Sequence, residues 1–347
     1  MALMDLERRG IASGGNWIVD RIKQVDCLAG RGMLANVRSE LSTTGGAPAN
    51  VLADLARMNS PFPLWGVGVV GNDADGRFIL DSFRKLGVNV RHIQISRKAP
   101  TSFTDVFNEE RSGDRAFYHH RGANAFFGPD QVPVAQLPCR IFHLGYILLL
   151  DGMDQIDPEY GTAAARVLYA LQAAGILTSV DVVSEESDRF KTFVPPALRY
   201  VDYLILNEIE AARTVGRTVR NADGSLDGPA LADAVDALCR CGSMRLVAVH
   251  MPEGVYVQTR EGKRFSRGSL CLPDGYIAGA VGAGDAFCAG MLFGLHEGMP
   301  AEEAAHLGSC CAAASLAEPG ASEGVRPLPE IVELGKRFPE RPPPVKV

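Results

Sequence analysis

The chain has 347 residues, 46% hydrophobic and 22% charged, with 35 basic against 41 acidic side chains for a net charge of −6. A mean hydropathy of +0.02 suits a globular protein, large enough for one big α/β domain or two medium ones. No lysine or arginine run exceeds two or three residues, so nucleic-acid binding has no electrostatic footprint, and the longest apolar stretch, 141–150, is too short to span a bilayer.

The first ten residues are charged (Asp5, Glu7, Arg8, Arg9) and lack the apolar core of a secretory signal, so a cytoplasmic location is expected. Residues 17–45 (Trp17, Ile18, Val19, then Val25, Leu28, Val37) read as antiparallel strands, and a helical pattern covers 51–58. From Leu64 onward, β-rich apolar runs at 64–70, 140–144, 178–182, 203–206 and 246–249 alternate with helical patterns at 76–86, 161–174, 208–214 and 228–239. That alternation argues for a mostly parallel sheet with helices on both faces.

Residues 91–121 break the alternation and also read as antiparallel strands, with 108–114 as a hairpin tip. At period two, Phe103, Asp105 and Phe107 share one face, as do Arg115, Phe117 and His119; the mixture suits a cover over a polar ligand better than a dry core. Adjacent His119 and His120 point to opposite faces and do not chelate one metal. After Gly282 the chain turns helical, at 285–296, 301–317 and 329–337. The proline-rich tail 338–347 is expected to be extended or disordered, outside a domain of 1–337. The eight cysteines form no Cys-x-x-Cys and have no histidine at zinc-ligand spacing, so reduced thiols are expected.

The stretch Gly282-Ala283-Gly284-Asp285-Ala286-Phe287 opens a buried-type helix. Glycines at a helix start expose backbone N–H groups to an anion, and a carboxylate there conflicts with that anion unless it does chemistry. Phosphate on the amides beside an aspartate that takes a hydroxyl proton describes phosphoryl transfer to an alcohol; the alternative is that Asp285 only caps the helix. Gly66-Val67-Gly68-Val69-Val70-Gly71 has the spacing of a dinucleotide fingerprint, but Asn72, Asp73 and Asp75 follow where a pyrophosphate needs bare amides, so a structural role is expected.

Taken in order, Gly45-Gly46-Ala47-Pro48-Ala49-Asn50, the 67–76 segment, Asn207-Glu208-Ile209-Glu210 and Gly282-Ala283-Gly284-Asp285 resemble the ribokinase-like (PfkB) family of carbohydrate and nucleoside kinases, from about residue 15 to 327. The resemblance implies a three-layer α/β/α domain with a small antiparallel β-sheet lid from about 17–45 and 91–121, and a homodimer through that lid. It implies Asp285 as general base, with the amides of Gly282, Ala283 and Gly284 as anion hole. Asp20, Gly45, Gly46 and Asn50 match the family's sugar-binding corner. Asn207 and Glu210 match its magnesium and phosphate motif, acting through water, with an ordinary helix cap as the alternative. Asp181 ends a strand without the family's neighbours and is left outside the site.

ATP is expected around Gly254, Gly282, Gly320 and Ala321, with Mg²⁺. Two departures stand out: Gly279 and Ala280 replace an acidic and a hydroxyl residue, and Met251 replaces a glycine near the nucleotide. An oxygen-poor loop argues against monovalent-cation activation. A simple sugar is the expected acceptor. A nucleoside stacked on Phe103, Phe107, Phe117 or Tyr118, and a catalytically weak sugar- or nucleotide-binding protein, stay open as alternatives. A dehydrogenase reading rests on the 66–71 glycines alone.

Overall fold

The computed structural model describes residues 8–110, 112, 114–185 and 187–347; Asp5 and Glu7 of the charged N-terminus, and Arg111 and Gly113 of the expected hairpin tip, lie outside them. The chain opens with β1 (Ile11–Gly15), then leaves the main body as β2 (Ile18–Val25) and β3 (Val37–Gly45). It returns through α1 (Ala47–Arg57), β4 (Leu64–Gly71), α2 (Ala74–Lys85) and β5 (Asn89–Ser96), and leaves again as β6 (Ser102–Glu109) and β7 (Arg115–His120). Next come β8 (Ile141–Ile147), the short pair β9 (Ile156–Asp157) and β10 (Gly161–Thr162), and α3 (Ala163–Ala173). The alternation continues with β11 (Leu177–Val182), α4 (Phe190–Leu198), β12 (Tyr203–Asn207), α5 (Glu208–Val215), α6 (Gly228–Cys239) and β13 (Leu246–Met251). A hairpin of β14 (Gly254–Thr259) and β15 (Arg264–Gly268) precedes α7 (Ala283–His296), α8 (Ala301–Ser315) and α9 (Leu328–Arg337).

The main sheet runs β15-β14-β13-β12-β11-β8-β1-β4-β5, parallel from β13 to β5 and antiparallel at the β14 and β15 end. One apolar cluster fills the face under α1, α2, α7 and α8 (Leu52, Ile79, Phe287, Leu307), another the face under α3 to α6 (Val167, Val194, Ala211, Leu231). This is the expected three-layer arrangement. Helix α7 is buried all along 285–294, as a helix without a polar face must be.

Three differences from the sequence reading stand out, and one expectation gains its physical cause. Residues 91–96, expected in the lid, belong to β5 at the edge of the main sheet. The lid itself runs β3-β2-β6-β7; its outer pairs are antiparallel, but β2 and β6 pair parallel because both strands leave the body in the same direction. The proline-rich tail runs extended and is fastened to the β15 side: Arg341 N donates to Ser269 O (2.8 Å), Cys271 N to Pro339 O (2.8 Å), and Val345 is buried. Gly66 and Gly68 face the Trp17 indole, whose Nε1 donates to Val67 O (2.8 Å); a Cβ on Gly68 would lie 2.3 Å from that ring. Those glycines make room for a tryptophan, which is the structural role expected of them.

Candidate functional site

A cavity of about 610 Å³ lies between the carboxyl ends of the parallel strands and the lid, the place where open α/β sheets gather ligands. Asn16 follows β1, Tyr146 and Asp181 stand near the ends of β8 and β11, Asn207 closes β12, and His250 lies near the end of β13. The start of α7 and the 319–321 loop close one side, and β2, β6 and β7 of the lid cover the other.

At the start of α7, Gly282 has φ +77°, and a Cβ there would lie 2.3 Å from the Ala321 carbonyl oxygen. Glycine therefore lets the 319–321 loop close onto the helix end, whose first N–H groups have no intrahelical partners. Gly284 packs on the His250 ring, with 3.0 Å between a Cβ built there and Cε1. Asp285 stands in the first turn and is 5% exposed. Its side chain does not cap the helix; Oδ2 accepts from Asn50 Nδ2 (2.7 Å), and Tyr146 supplies a second hydrogen bond. Burial pushes the Asp285 carboxyl up to about 6, and those two hydrogen bonds restrain the rise. Tyr146 reaches this position with φ 61°, unusual for a non-glycine residue, and Leu148 beyond it has φ 82°.

Further along the strand ends lies an acidic group. Asn207 caps α5 by accepting from Glu210 N (2.9 Å), Glu210 Oε2 accepts from Asn207 N (3.1 Å), and both residues also line the cavity. The cap and the cavity position thus coexist. Ser184 Oγ accepts from Asn207 Nδ2 (3.0 Å) and donates to Glu210 Oε1 (2.6 Å). Burial pushes Glu210 up to about 7; Asp181 lies well above the usual carboxylate range through burial first, then the charges of Glu210 and Asp285. The only lysine or arginine side chain lining the cavity among the described residues is Arg115, out on the lid. An all-oxygen set with uncompensated negative charge suits Mg²⁺. Among the described residues no group of three or more His, Cys, Asp or Glu is arranged to hold a metal by itself.

The residues singled out in the sequence divide. Asp20, Gly46, Asn50, Asn207, Glu210, Gly282, Gly284, Asp285, Gly320 and Ala321 line the cavity. Ala283 lies between two lining residues, and Gly45 sits behind Asp20, leaving room for its carboxylate: a Cβ would lie 1.9 Å from Oδ2. Asp20 is pushed up to about 7 by burial, then by Asp285, and held back by a hydrogen bond from Thr104. Gly254 is not brought to the cavity; a Cβ on it would meet Arg267 O at 2.0 Å, so its glycine serves the β14 and β15 hairpin. Met251 is buried in the core and does not line the cavity. Gly279 is covered by the backbone of 318 and 319 (Pro319 Cα 2.9 Å from a Cβ), which leaves no room for the acid expected there. Of the four lid aromatics considered for base stacking, only Phe117 lines the cavity; Phe103 stacks on His120 and Phe107 meets Tyr118 edge-on, both pairs among residues that do not line it.

Sequence reasoning missed Asn16, Tyr146, Ser184 and His250, left Asp181 outside the site, and read His119 as lid packing or a substrate contact; all six line the cavity. A signal existed for Asp181, a lone acid ending a hydrophobic strand; Tyr146 lies inside an apolar run and gave none.

The description "pfkB family carbohydrate kinase" fits residues 9–327 of this chain. A 5-dehydro-2-deoxygluconokinase of Shouchella clausii is 24% identical over 307 residues, covering 87% of this chain and 89% of that protein. An ATP-dependent ribose-1-phosphate kinase of Halopiger xanaduensis is 26% identical over 324 residues, covering 93% and 96%. Among solved structures, an Arabidopsis thaliana ribokinase complexed with ribose and ATP superposes with a TM-score of 0.77 at 20% identity, covering 94% of this chain and 98% of that one.

Proposed function

We propose, from the premise that the chain belongs to the pfkB family of carbohydrate kinases, that it transfers the γ-phosphoryl group of ATP to a hydroxyl of a small sugar, with Asp285 as the base. The observation that carries this is the buried Asp285 carboxylate at the N-terminus of α7, held by Asn50 and Tyr146 in a cavity at the strand ends.

In this reading the acceptor hydroxyl gives its proton to Asp285 as its oxygen bonds to the γ-phosphorus, and the bond to the β–γ bridging oxygen breaks to release ADP. A base with its affinity raised toward neutrality takes that proton more readily than a surface aspartate. The N–H groups of 282–284 stabilise charge on the moving phosphoryl oxygens. Glu210, Asp181 and Asn207 would hold Mg²⁺, partly through water. When bound, Mg²⁺ neutralises charge on the phosphate oxygens. The sugar lies under the lid between Asp20, Gly46 and Asn50, and Pro319, Gly320 and Ala321 border the nucleotide side. All eight cysteines are free, which favours a reducing, cytoplasmic setting.

The experiment is magnesium-dependent ADP release across ribose, fructose, 2-keto-3-deoxygluconate, inositol and adenosine, with Asp285→Asn alongside. Turnover of one sugar that vanishes in the variant supports the reading. Activity untouched by the substitution sinks Asp285 as the base. We also propose that the lid pairs with a second copy through the exposed Val37 and Leu41 of its edge strand β3; a purely monomeric sedimentation profile would rule that out.

A further inference from the structure

Asp54, inside α1, is 0% exposed and does not line the cavity, and neither of its carboxyl oxygens meets a protein donor. Arg57, three residues on, does not bond it; its own Nε is sealed and unpartnered as well. A buried carboxylate without donors is among the costliest groups a core can hold, whereas the neutral acid gives up far less hydration. The surroundings push the same way. Burial first, then the charge of Asp285 on α7, hold the Asp54 carboxyl well above the usual carboxylate range; Arg57 draws it down and Glu323 pushes it up more weakly. The buried thiols Cys288 on α7 and Cys311 on α8 face the same acid. Among the described residues, β1, β3, β4 and β8, on which α1 also packs, bring no charge to bear on it.

Asp54 follows Asn50 by four residues, one helical turn along the same side of α1. Asn50 Nδ2 donates to Asp285 Oδ2 (2.7 Å). One helix therefore carries both the donor that holds the proposed base and an acid whose charge would repel that base. Glu323 extends the link to the loop at the helix end. Its Oε2 accepts from Ser322 N (3.2 Å) and lies 2.1 Å from where a Cβ on Gly320 would stand, and Gly320 lines the cavity.

We propose that Asp54 is a positioning residue for Asp285, acting through α1 from outside the cavity. As a neutral acid it lets α1 bring Asn50 to the base. Once ionised, it repels Asp285 and Glu323; that repulsion falls on the contact between α1 and α7 and on the loop at Gly320, and phosphoryl transfer slows. The enzyme thus carries an alkaline cut-off set by a group that does not line the cavity. This rests on the proposed kinase reading for the role of Asp285, but not for the state of Asp54.

The test uses the full chain with Asp54→Asn, close in shape and neutral at every pH, and Asp54→Leu, which also removes the polar atoms. The infrared difference between wild type and Asp54→Asn at pH 7 is expected to show the C=O stretch of a protonated carboxyl. A carboxylate band in its place overturns the inference. Because the folded protein holds this proton more tightly than an unfolded aspartate, with its value of about 4, the contribution of Asp54 to stability is present below that value and lost as pH rises through the folded one. Both variants should therefore melt above wild type in alkaline solution, by a gap that widens with pH. In turnover, wild-type kcat is expected to fall about tenfold per pH unit on the alkaline limb, and the limb to vanish or move up by more than about one unit in both variants. A widening melting gap with the limb left in place makes Asp54 a structural acid only and sinks the positioning role. So does loss of turnover by folded Asp54→Asn at every pH, since the charge would then be needed. Should no acceptor turn over, the kinase reading fails by itself, and the Asn50 side-chain amide resonance, assigned by its loss in Asn50→Ser, decides the rest. That resonance should move as the wild-type carboxyl band disappears at alkaline pH and stay fixed in Asp54→Asn; a resonance unmoved in wild type overturns the inference.

Discussion

The cavity has two walls built on different terms. The strand-end wall carries three carboxylates, the buried Glu210 and Asp285 and the half-buried Asp181, each pushed upward by burial. The lid wall is half-exposed, and its other face carries ion pairs and cation–π contacts such as Lys23 with Asp105 and Arg21 over Phe103. One wall concentrates negative charge that the fold does not neutralise; the other arranges donors and acceptors in rows, with Asp20 and Arg115 as its charged members. In the proposed function, charge chemistry falls to the strand-end wall and ligand selection to the lid, because preorganised groups need an immobile scaffold and a cover must open.

The largest expected effect breaks the comparison at the rigid wall. Asp285→Asn should lower kcat by a factor on the order of 10²–10⁴, the range for loss of a general base, with the KM for ATP nearly unchanged. Initial rates of ADP release measure it. Next in size, Asp181→Asn should raise the Mg²⁺ concentration for half-maximal rate roughly tenfold or more. The same substitution should raise the melting temperature of the ligand-free protein, because it removes a buried charge that Glu210 and Asp285 repel. A lowered melting temperature would mean that Asp181 is a structural acid.

The pH dependence sharpens the contrast further, since stability and rate should move in opposite directions. The folded carboxyls of Asp285 at about 6, and of Asp20 and Glu210 at about 7, lie above their unfolded values of about 4. The folded state therefore binds protons more tightly than the unfolded chain between those limits. Their contribution to stability is fully present below about pH 4 and is lost as pH rises through 6 to 7. Thermal melts of the ligand-free protein should fall across that window, and Mg²⁺ with ATP should flatten the fall. Meanwhile kcat/KM should drop by about tenfold per pH unit on the acid side, once the base is protonated. Parallel trends in rate and stability would contradict the uncompensated charge.

How much of this was legible depended on whether chemistry and local geometry coincide in a short segment. At 282–285 they do: glycines, helix start and acid are contiguous. Strands β8, β11, β12 and β13 were legible because parallel strands buried on both faces must be continuously apolar. β1 was not, because Ile-Ala-Ser-Gly-Gly lacks bulk; Gly14 and Gly15 are small where Phe142 and the Gly145 carbonyl press in. The cavity-facing set of the lid was half legible. Period two grouped Arg115, Phe117 and His119 correctly, but which face of β6 joins them is set by register, so Thr104, Val106 and Asn108 face the cavity instead of Phe103, Asp105 and Phe107. Tyr146 owes its place in the site to Asp285, more than a hundred residues away, and no local pattern carries that.

The smallest expected effect concerns the joint between the two walls. Trp17 lies between β1 and β2, so it links the sheet to the lid; its backbone N donates to Asn124 Oδ1 (3.2 Å) and its carbonyl accepts from Asn124 Nδ2 (3.1 Å). Its indole fills the space left by Gly66 and Gly68. Gly68→Ala drives a methyl into that ring, and overpacking of this kind costs about 1–3 kcal/mol, read in a chemical denaturation midpoint. If the joint sets the angle of the lid, the same variant should raise the sugar KM a few-fold and leave the KM for ATP alone, since the proposed nucleotide side lies at α7 and the 319–321 loop. A change confined to ATP would instead make the Gly66 to Gly71 segment a nucleotide contact after all, and would assign the wrong wall to it.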